Sequence, residues 1–305
     1  MASPPRPRRT GPPRPKPGAR VAPGRPRRSG PPLPKNVVER VAPVRVAILS
    51  IGRELLRGRA ADANAPWIAS WMSRRGALVH RILVVDDAER AISSAISEAL
   101  AWGCHLVVTT GGLGPAPDDR TLAALSEALR RPLSLSPMAR TLVDEAYTRL
   151  RKRGVVAHGG MTAAREKMAT VPVGSDLVPN PVGIAPGILV RLPGGGGVLA
   201  MPGEPEEMRA VFEEAVPILR ELAPRGATAE REVEAPTADE AALRPLLEKL
   251  AAEFPALWIT GAAPRPGTKD GRITITLEAS AATKNEAESV VEGALRRLIA
   301  LSAGG

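Results

Sequence analysis

The chain has 305 residues, a formal net charge of +10, 44% hydrophobic residues and only 2% aromatic ones, with one cysteine and three histidines. One cysteine excludes an internal disulfide framework, and the lack of paired Cys or His argues against a zinc site. No apolar run approaches the roughly 20 residues that span a membrane, and no signal-peptide pattern opens the chain, so a soluble cytoplasmic protein with no membrane partner is expected.

Residues 1–45 hold twelve Lys or Arg against one acid, Glu39, so this stretch carries +11 and the remainder −1. Residues 1–43 also hold 13 of the 32 prolines. Proline removes backbone donors and like charges repel, so no core can form there and a disordered Pro/Arg-rich tail is expected. Any contact with nucleic acid would run through residues 1–43 by counterion release. The plainer reading is a solvated extension, or a start codon placed too far upstream.

Val46 to Ile51, VAILSI, is a continuous apolar run of the kind that forms a strand buried on both faces. After the loop RELLRGRAADAN, Asn64 reads as a helix N-cap with Pro66 in the first turn. Trp67, Ile68, Trp71 and Met72 recur at helical spacing, and the tryptophan pair is assigned to core packing. A strand is expected within Leu78 to Val85, ending at Asp86 and Asp87, then a helix over about 88–101 and a third strand from His105 to Thr110. The segment TTGGLGPAPDDRT (109–121) comes next, followed by a helix carrying Leu122, Leu125 and Leu129. Strands alternating with helices through short connections imply a mainly parallel sheet covered on both faces, with ligands beyond the carboxyl ends of its strands.

Ser136 and Pro137 open a helix to about Arg153, and a short helix is expected from Ala163 to Met168. LVPNPVGIAPG (177–187) is too rich in Pro and Gly for regular structure. GILVRL and GVLAM, joined by PGGGG, read as a hairpin. MPGEPEEM leads into a helix at about 205–222, which Pro217 should kink or end early. From about 228 the pattern restarts. REVEA suggests a strand, and Thr237 caps a helix with Glu240 at capping-box spacing. Leu243, Leu246, Leu247 and Leu250 form that helix's stripe. Strands follow at Leu257 to Thr260 and at 272–279, then a last helix from Lys284 to Leu301. The fold class is therefore α/β, with a first domain over 44–225 and a small β-α-β-β-α domain over 228–303.

The quoted segment carries the chemistry. Gly111, Gly112 and Gly114 permit close backbone approach, and the start of the helix after Asp119 offers unpaired N–H groups, a setting that suits a phosphate. Asp118 and Asp119 would repel a phosphate but could hold a divalent ion that bridges to it, or one of them could cap the helix. Thr110, Thr121 and Asn64 supply neutral hydrogen-bonding groups. A Walker triplet, a dinucleotide fingerprint and a nucleophile elbow are all missing. His80, His105 and His158 are isolated and read as structural or exposed, and Cys104 reads as an inert core residue.

Four segments, IGRELLRGRAADAN, TTGGLGPAPDDRT, LVPNPVGIAPG and MPGEPEEM, occur in the order and approximate spacing of the CinA family, which the chain resembles over about residues 44–303. The resemblance implies a three-layer α/β/α domain of the MoaB/Mog molybdopterin-binding type, with its pocket over Gly111, Gly112, Gly114 and Pro115. It implies that Asp119 and Asp87 lie in the active site, with Asp118 adjacent. The turn Pro202, Gly203, Glu204, Pro205 borders the same pocket. Asn180, Gly183, Pro186 and Gly187 match a further ligand-site segment, and Glu54, Asp62 and Asn64 match the first motif. For Glu54 and Asp62, loop capping weighs about equally. The chain departs from the family pattern at Arg53, where Asp or Asn is usual, at Ala63 for Thr, at Asp86 for Gly and at Glu204 for a small or apolar residue. Many CinA proteins continue into a nicotinamide-nucleotide amidohydrolase domain. This chain stops at Gly305, so deamidation is not expected.

Three functions are set side by side. The first is metal-dependent cleavage of ADP-ribose, with Mg²⁺ or Co²⁺ held by Asp119 together with Asp118 or Asp87. The second is binding of molybdopterin, or a related small phosphorylated pterin or nucleotide, without turnover. The third is an interaction protein that uses its basic tail. The resemblance also implies a homo-oligomer.

Overall fold

A computed structural model describes residues 44–222, 226–235, 237, 239–262 and 273–303. The expectation of disorder over 1–43 concerns residues outside this set. In chain order the first part contains β1 (Arg45–Ile51), α1 (Arg53–Leu56), α2 (Asn64–Ser73), β2 (Leu78–Val85), α3 (Glu89–Ala101), β3 (Leu106–Thr110), α4 (Thr121–Leu129), β4 (Leu133–Leu135), α5 (Pro137–Lys152) and α6 (Ala163–Ala169). It continues through β5 (Thr170–Pro172), β6 (Ser175–Val178), β7 (Gly187–Arg191), β8 (Gly197–Met201) and α7 (Pro205–Leu222). The second part is β9 (Ala227–Glu234), α8 (Glu240–Glu253), β10 (Leu257–Ala262), β11 (Thr274–Ala281) and α9 (Lys284–Ala303).

Six strands form the main sheet in the order β2-β1-β3-β8-β7-β6. The pairs β2–β1, β1–β3 and β3–β8 are parallel, and β8–β7 and β7–β6 are antiparallel. Alternation along β1 explains why its run from Val46 to Leu49 is apolar. Ala47, Leu49 and Ile51 enter one core with Ile92, Leu125 and Val143 of α3, α4 and α5. Val46 and Ile48 enter the other core with Ile68 of α2 and Phe212 of α7. A strand covered on both faces has no polar side to show. Three of the scarce aromatics pack on one another: Phe212 meets Trp67 and Trp71 edge-on, with ring centroids 5.4 and 4.8 Å apart. Trp67 and Trp71 thus contribute to the packing of this face.

A separate three-stranded antiparallel sheet, ordered β10-β11-β9, packs under α8 and α9 around Leu243, Leu250, Ile275, Leu277 and Val291. The parts meet where Thr228 Oγ1 donates to Ser73 O at 2.7 Å.

Several local expectations need correction. Asn64 does not cap α2. Asp62 does so from two residues earlier, its Oδ1 accepting from the N–H groups of Asn64 and Ala65, each at 3.0 Å. The loop after β1 contains the single-turn helix α1. Leu177 and Val178 belong to β6, and Gly187 opens β7, so the Pro/Gly-rich segment is irregular only between them. Pro217 does not end α7, which runs on to Leu222. Pro217 is exposed, so the carbonyl it leaves without a partner faces water, while Phe212, Ala215 and Leu219 anchor the helix on either side. Asp239, not Thr237, caps α8 by accepting from Ala241 N at 2.9 Å. The short pair β4–β5 has no counterpart in the sequence reading.

Candidate functional site

A cleft of about 640 Å³ opens at the carboxyl ends of the parallel strands. Ile51 and Gly52 close β1, Asp87 follows β2, Thr110 and Gly111 end β3, and Pro202 and Gly203 follow β8, and all of them line it. The strand ends alone would leave a shallow trough. The glycine loop and the turn after β8 fold over it to give walls.

Packing explains the loop. Gly111 N donates to Met201 O at 2.9 Å, which ties β3 to β8. Gly111 has φ of 104°, and a Cβ there would lie 2.4 Å from Ile51 O. Only glycine can cross β1 so closely. Thr121 is fully buried and fixes the far end: its hydroxyl donates to Gly111 O at 2.8 Å and its N–H to Gly112 O at 3.1 Å. Asp119 Oδ2 accepts from Ala116 N at 2.9 Å. Among the described residues no hydrogen bond engages the N–H groups of Gly112, Leu113 or Gly114. These three amides remain available beside the cleft.

The start of α4 is used differently from the sequence expectation. Neither Asp118 nor Asp119 caps it, and its first N–H is spent on Gly112 O. Leu122 and Ala123, the next residues, do not line the cleft but border an adjoining hollow, which shares Gly112, Leu113, Gly114 and Asp119 with it.

The first motif divides into support and lining. Ser50 Oγ donates to Asp62 Oδ2 at 2.6 Å, so with its capping bonds Asp62 is fully occupied in holding the loop. Asn64 is buried, and its Nδ2 donates to Gly203 O at 2.7 Å, joining this loop to the turn after β8. Its Oδ1 is buried without a partner among the described residues. Glu54 lines the cleft.

Two departures from the family pattern explain each other. Arg53 Nε donates to Asp86 Oδ2 at 3.1 Å and its Nη2 to Asp86 Oδ1 at 2.8 Å, a bidentate pair. Arg53 therefore does not bring a cation into the cleft lining. The guanidinium and the Ala88 N–H hold the Asp86 carboxyl down at about 2. A depressed acid adds stability above its ordinary pKa and loses that contribution as pH falls through the folded-state value. The expected result for Arg53→Gln is an Asp86 carboxyl NMR midpoint that moves from about 2 back toward the ordinary 3.8. An unmoved midpoint would deny the pairing. Asp87 shifts the opposite way. Burial, assisted by the charges of Glu54 and Asp86, raises its proton affinity against the hydrogen bond it accepts from Arg53 N at 3.2 Å.

Asp87, Asp118 and Asp119 all line the cleft, as do Glu54, Asp62, Asn64, Thr110, Gly111, Gly112, Gly114 and Pro115. Pro202, Gly203, Glu204 and Pro205 line it too. Thr121, Asn180, Gly183, Pro186 and Gly187 are not among the lining residues. Asn180 is a brace. Its Oδ1 accepts from Gly183 N at 2.7 Å, and its Nδ2 donates to Glu207 Oε2 at 2.7 Å and to Ala185 O at 2.9 Å. Gly183 leaves room for Glu207, whose carboxylate would lie 1.9 Å from a Cβ. Gly187 leaves room for Val211, 2.4 Å from a Cβ.

The sequence reading missed two charged residues. Glu207 sits in the lining and binds back to Asn180 and to Ile184 N. Lys167 of α6 donates to Ala116 O and so fastens the top of the glycine loop. Burial lowers its pKa, against the raising influence of Asp119 and Asp118. No local motif marks either contact, since 27 residues separate Asn180 from Glu207 and 51 separate Lys167 from Ala116.

Electrostatically the cleft is one-sided. Its lining contains seven acids (Glu54, Asp62, Asp87, Asp118, Asp119, Glu204 and Glu207) and no Lys, Arg or His among the described residues. Among those residues no group of three or more His, Cys, Asp or Glu is arranged to hold a metal ion. The donor set therefore does not fit a resident, protein-caged ion. It fits an ion that arrives on a ligand's phosphates and needs only one or two carboxylates, as Mg²⁺ does. Asp118 and Asp119 would supply them. No helix of the described residues is long and apolar enough to cross a membrane.

Comparison with known proteins places these features in a family. Residues 47–221 match the family described as "Probable molybdopterin binding domain". A protein of Pyrobaculum calidifontis is 38% identical over 255 residues, covering 83% of this chain and 94% of its own length. A protein of Aeropyrum pernix is 37% identical over 258 residues, covering 83% and 92% respectively. Among solved structures, the protein CinA of Thermoplasma acidophilum, of unknown function, is 31% identical with a TM-score of 0.52, covering 57% of this chain and 98% of its own.

Proposed function

The chain belongs to the family of probable molybdopterin-binding domains as a CinA-like member, and on that premise we propose that its strand-end cleft binds a phosphorylated pterin or nucleotide. The observation that carries this reading is the set of three unengaged amides, at Gly112, Leu113 and Gly114, along a cleft of about 640 Å³. That volume lies within the range of about 300–1,000 Å³ common to small-molecule sites. Backbone N–H groups suit phosphate oxygens because they are neutral donors, pre-aimed and cheap to desolvate compared with ammonium groups. The loop is also pinned at both ends, by Gly111 N to Met201 O and by Thr121 to Gly111 O, so little ordering is left to occur on binding. The buried Oδ1 of Asn64 would accept from a ring N–H or amino group, which a pterin or a purine carries.

The seven carboxylates favour a ligand that brings a cation. They also support the second reading, metal-dependent cleavage of a nucleoside diphosphate sugar such as ADP-ribose. An ion at Asp118 and Asp119 would polarise a phosphoryl group and lower the pKa of a bound water. The chain's own contribution would be to hold the phosphate on the loop amides. Asp87, whose proton affinity burial raises, would be the acid to take up or release a proton in such a step.

One experiment separates the two readings. Purified protein is titrated calorimetrically with a phosphorylated pterin and with ADP-ribose, with and without Mg²⁺ or Co²⁺, and AMP release is followed in parallel. Saturable binding that Mg²⁺ strengthens, without AMP, is the expected result for a binding protein. AMP release that needs the metal establishes the enzyme. The absence of both binding and AMP release would overturn the proposal.

A further inference from the structure

A second cavity, of about 520 Å³, lies at the opposite end of the same sheet. Val44 and Val46 at the start of β1 and Leu106 at the start of β3 form its floor, Trp71 and Met72 of α2 one wall, and Leu219 of α7 the other. Its floor residues begin the strands whose carboxyl ends form the candidate cleft, so the two sites face apart. The walls are apolar, yet two guanidinium groups, Arg75 and Arg220, stand in the lining.

The charges are arranged for a ligand and not for each other. The only lining acid among the described residues, Glu221, is bound 3.4 Å from Arg191. Arg220 makes no hydrogen bond or ion pair among the described residues. Arg75 lies with its guanidinium carbon 3.5 Å from the centroid of the Trp71 ring and donates to Trp71 O at 3.2 Å. It has no carboxylate partner among the described residues, and burial and the charges of Arg220 and Arg74 lower its pKa. Two like charges beside an apolar hollow repel each other. An anionic group between them relieves that repulsion.

We propose that this cavity is a binding site for an amphipathic anion: an apolar chain lying along Trp71, Met72 and Leu219, with a carboxylate or phosphate headgroup engaging Arg75 and Arg220. Guanidinium favours both headgroups through paired N–H donors. Because Gly226 lines the same cavity just before β9, the ligand would also touch the junction between the two parts of the chain.

The test uses the full chain and two probes below their micellar concentrations, decanoate and decyl phosphate, titrated by calorimetry and by tryptophan fluorescence. One saturable site is expected, with the fluorescence change lost in Trp71→Phe. Arg220→Gln, an exposed substitution, is expected to weaken binding at least tenfold while circular dichroism stays unchanged. Shortening the chain by two CH₂ groups is expected to weaken it roughly tenfold. The tighter of the two probes identifies the headgroup. Binding of neither probe, or binding indifferent to Arg220→Gln, overturns the proposal. None of these readouts involves the strand-end cleft.

Discussion

Gly111→Ala is expected to cost about 2–5 kcal/mol of stability and to abolish ligand binding in the cleft. Two independent penalties meet at this position. The backbone has φ of 104°, a region that side-chain-bearing residues rarely enter. A Cβ would also fall 2.4 Å from Ile51 O, a backbone atom of β1, which is paired on both sides in the main sheet. That carbonyl cannot rotate away as the tip of a side chain could, so the loop itself must lift. Lifting it breaks the bond from Gly111 N to Met201 O and displaces the three amides behind it. Urea unfolding and calorimetry on the same variant check both effects. Gly114→Ala is the control. Its Cβ would meet Asp119 Oδ2 at 2.5 Å, a side-chain atom that can swing aside. Binding should suffer there with little loss of stability. An unchanged urea midpoint in Gly111→Ala would mean that the turn does not ride over β1 as described.

If the cleft cleaves ADP-ribose, Asp119→Asn is expected to preserve the fold and to lower that metal-dependent cleavage by about 10²–10⁴-fold. An asparagine oxygen can still accept from Ala116 N, so the turn that Asp119 closes at 2.9 Å keeps its bond. Only the charge is lost. Asp119→Ala removes the bond as well, leaves that N–H unpaired and should loosen the loop, so weaker binding is expected from it even without metal. The comparison separates charge from architecture. Full cleavage by Asp119→Asn would remove Asp119 from the chemistry while leaving the binding proposal standing.

Much of this site could be read from the chain because it is built from short runs with local causes. VAILSI forms a strand since both its faces are covered, and the glycines at 111 and 112 mark positive φ. The order of strands and helices placed the loop at the carboxyl end of the sheet. What escaped the reading depends on partners distant in sequence. Asn64 looked like a cap, but its side chain reaches Gly203, 139 residues on, and Asp62 caps in its place. Asn180 and Gly183 match a ligand-site segment, and that match does not reveal their contacts with Glu207. The pair β4–β5 consists of three-residue strands, too short to show an alternation. Arg53 and Asp86 each looked like a defect in the pattern, and only their pairing across 33 residues shows one compensated change.

The central claim is that an anionic ligand rests on the unengaged amides of the glycine loop. The most direct measurement is a ¹H–¹⁵N correlation titration of the protein with a phosphorylated pterin, and in parallel with ADP-ribose and Mg²⁺. The N–H signals of Gly112, Leu113 and Gly114 should move downfield together and saturate, while that of Gly111, already bound to Met201 O, should move little. Saturation that leaves those three signals in place and shifts residues elsewhere would contradict the account.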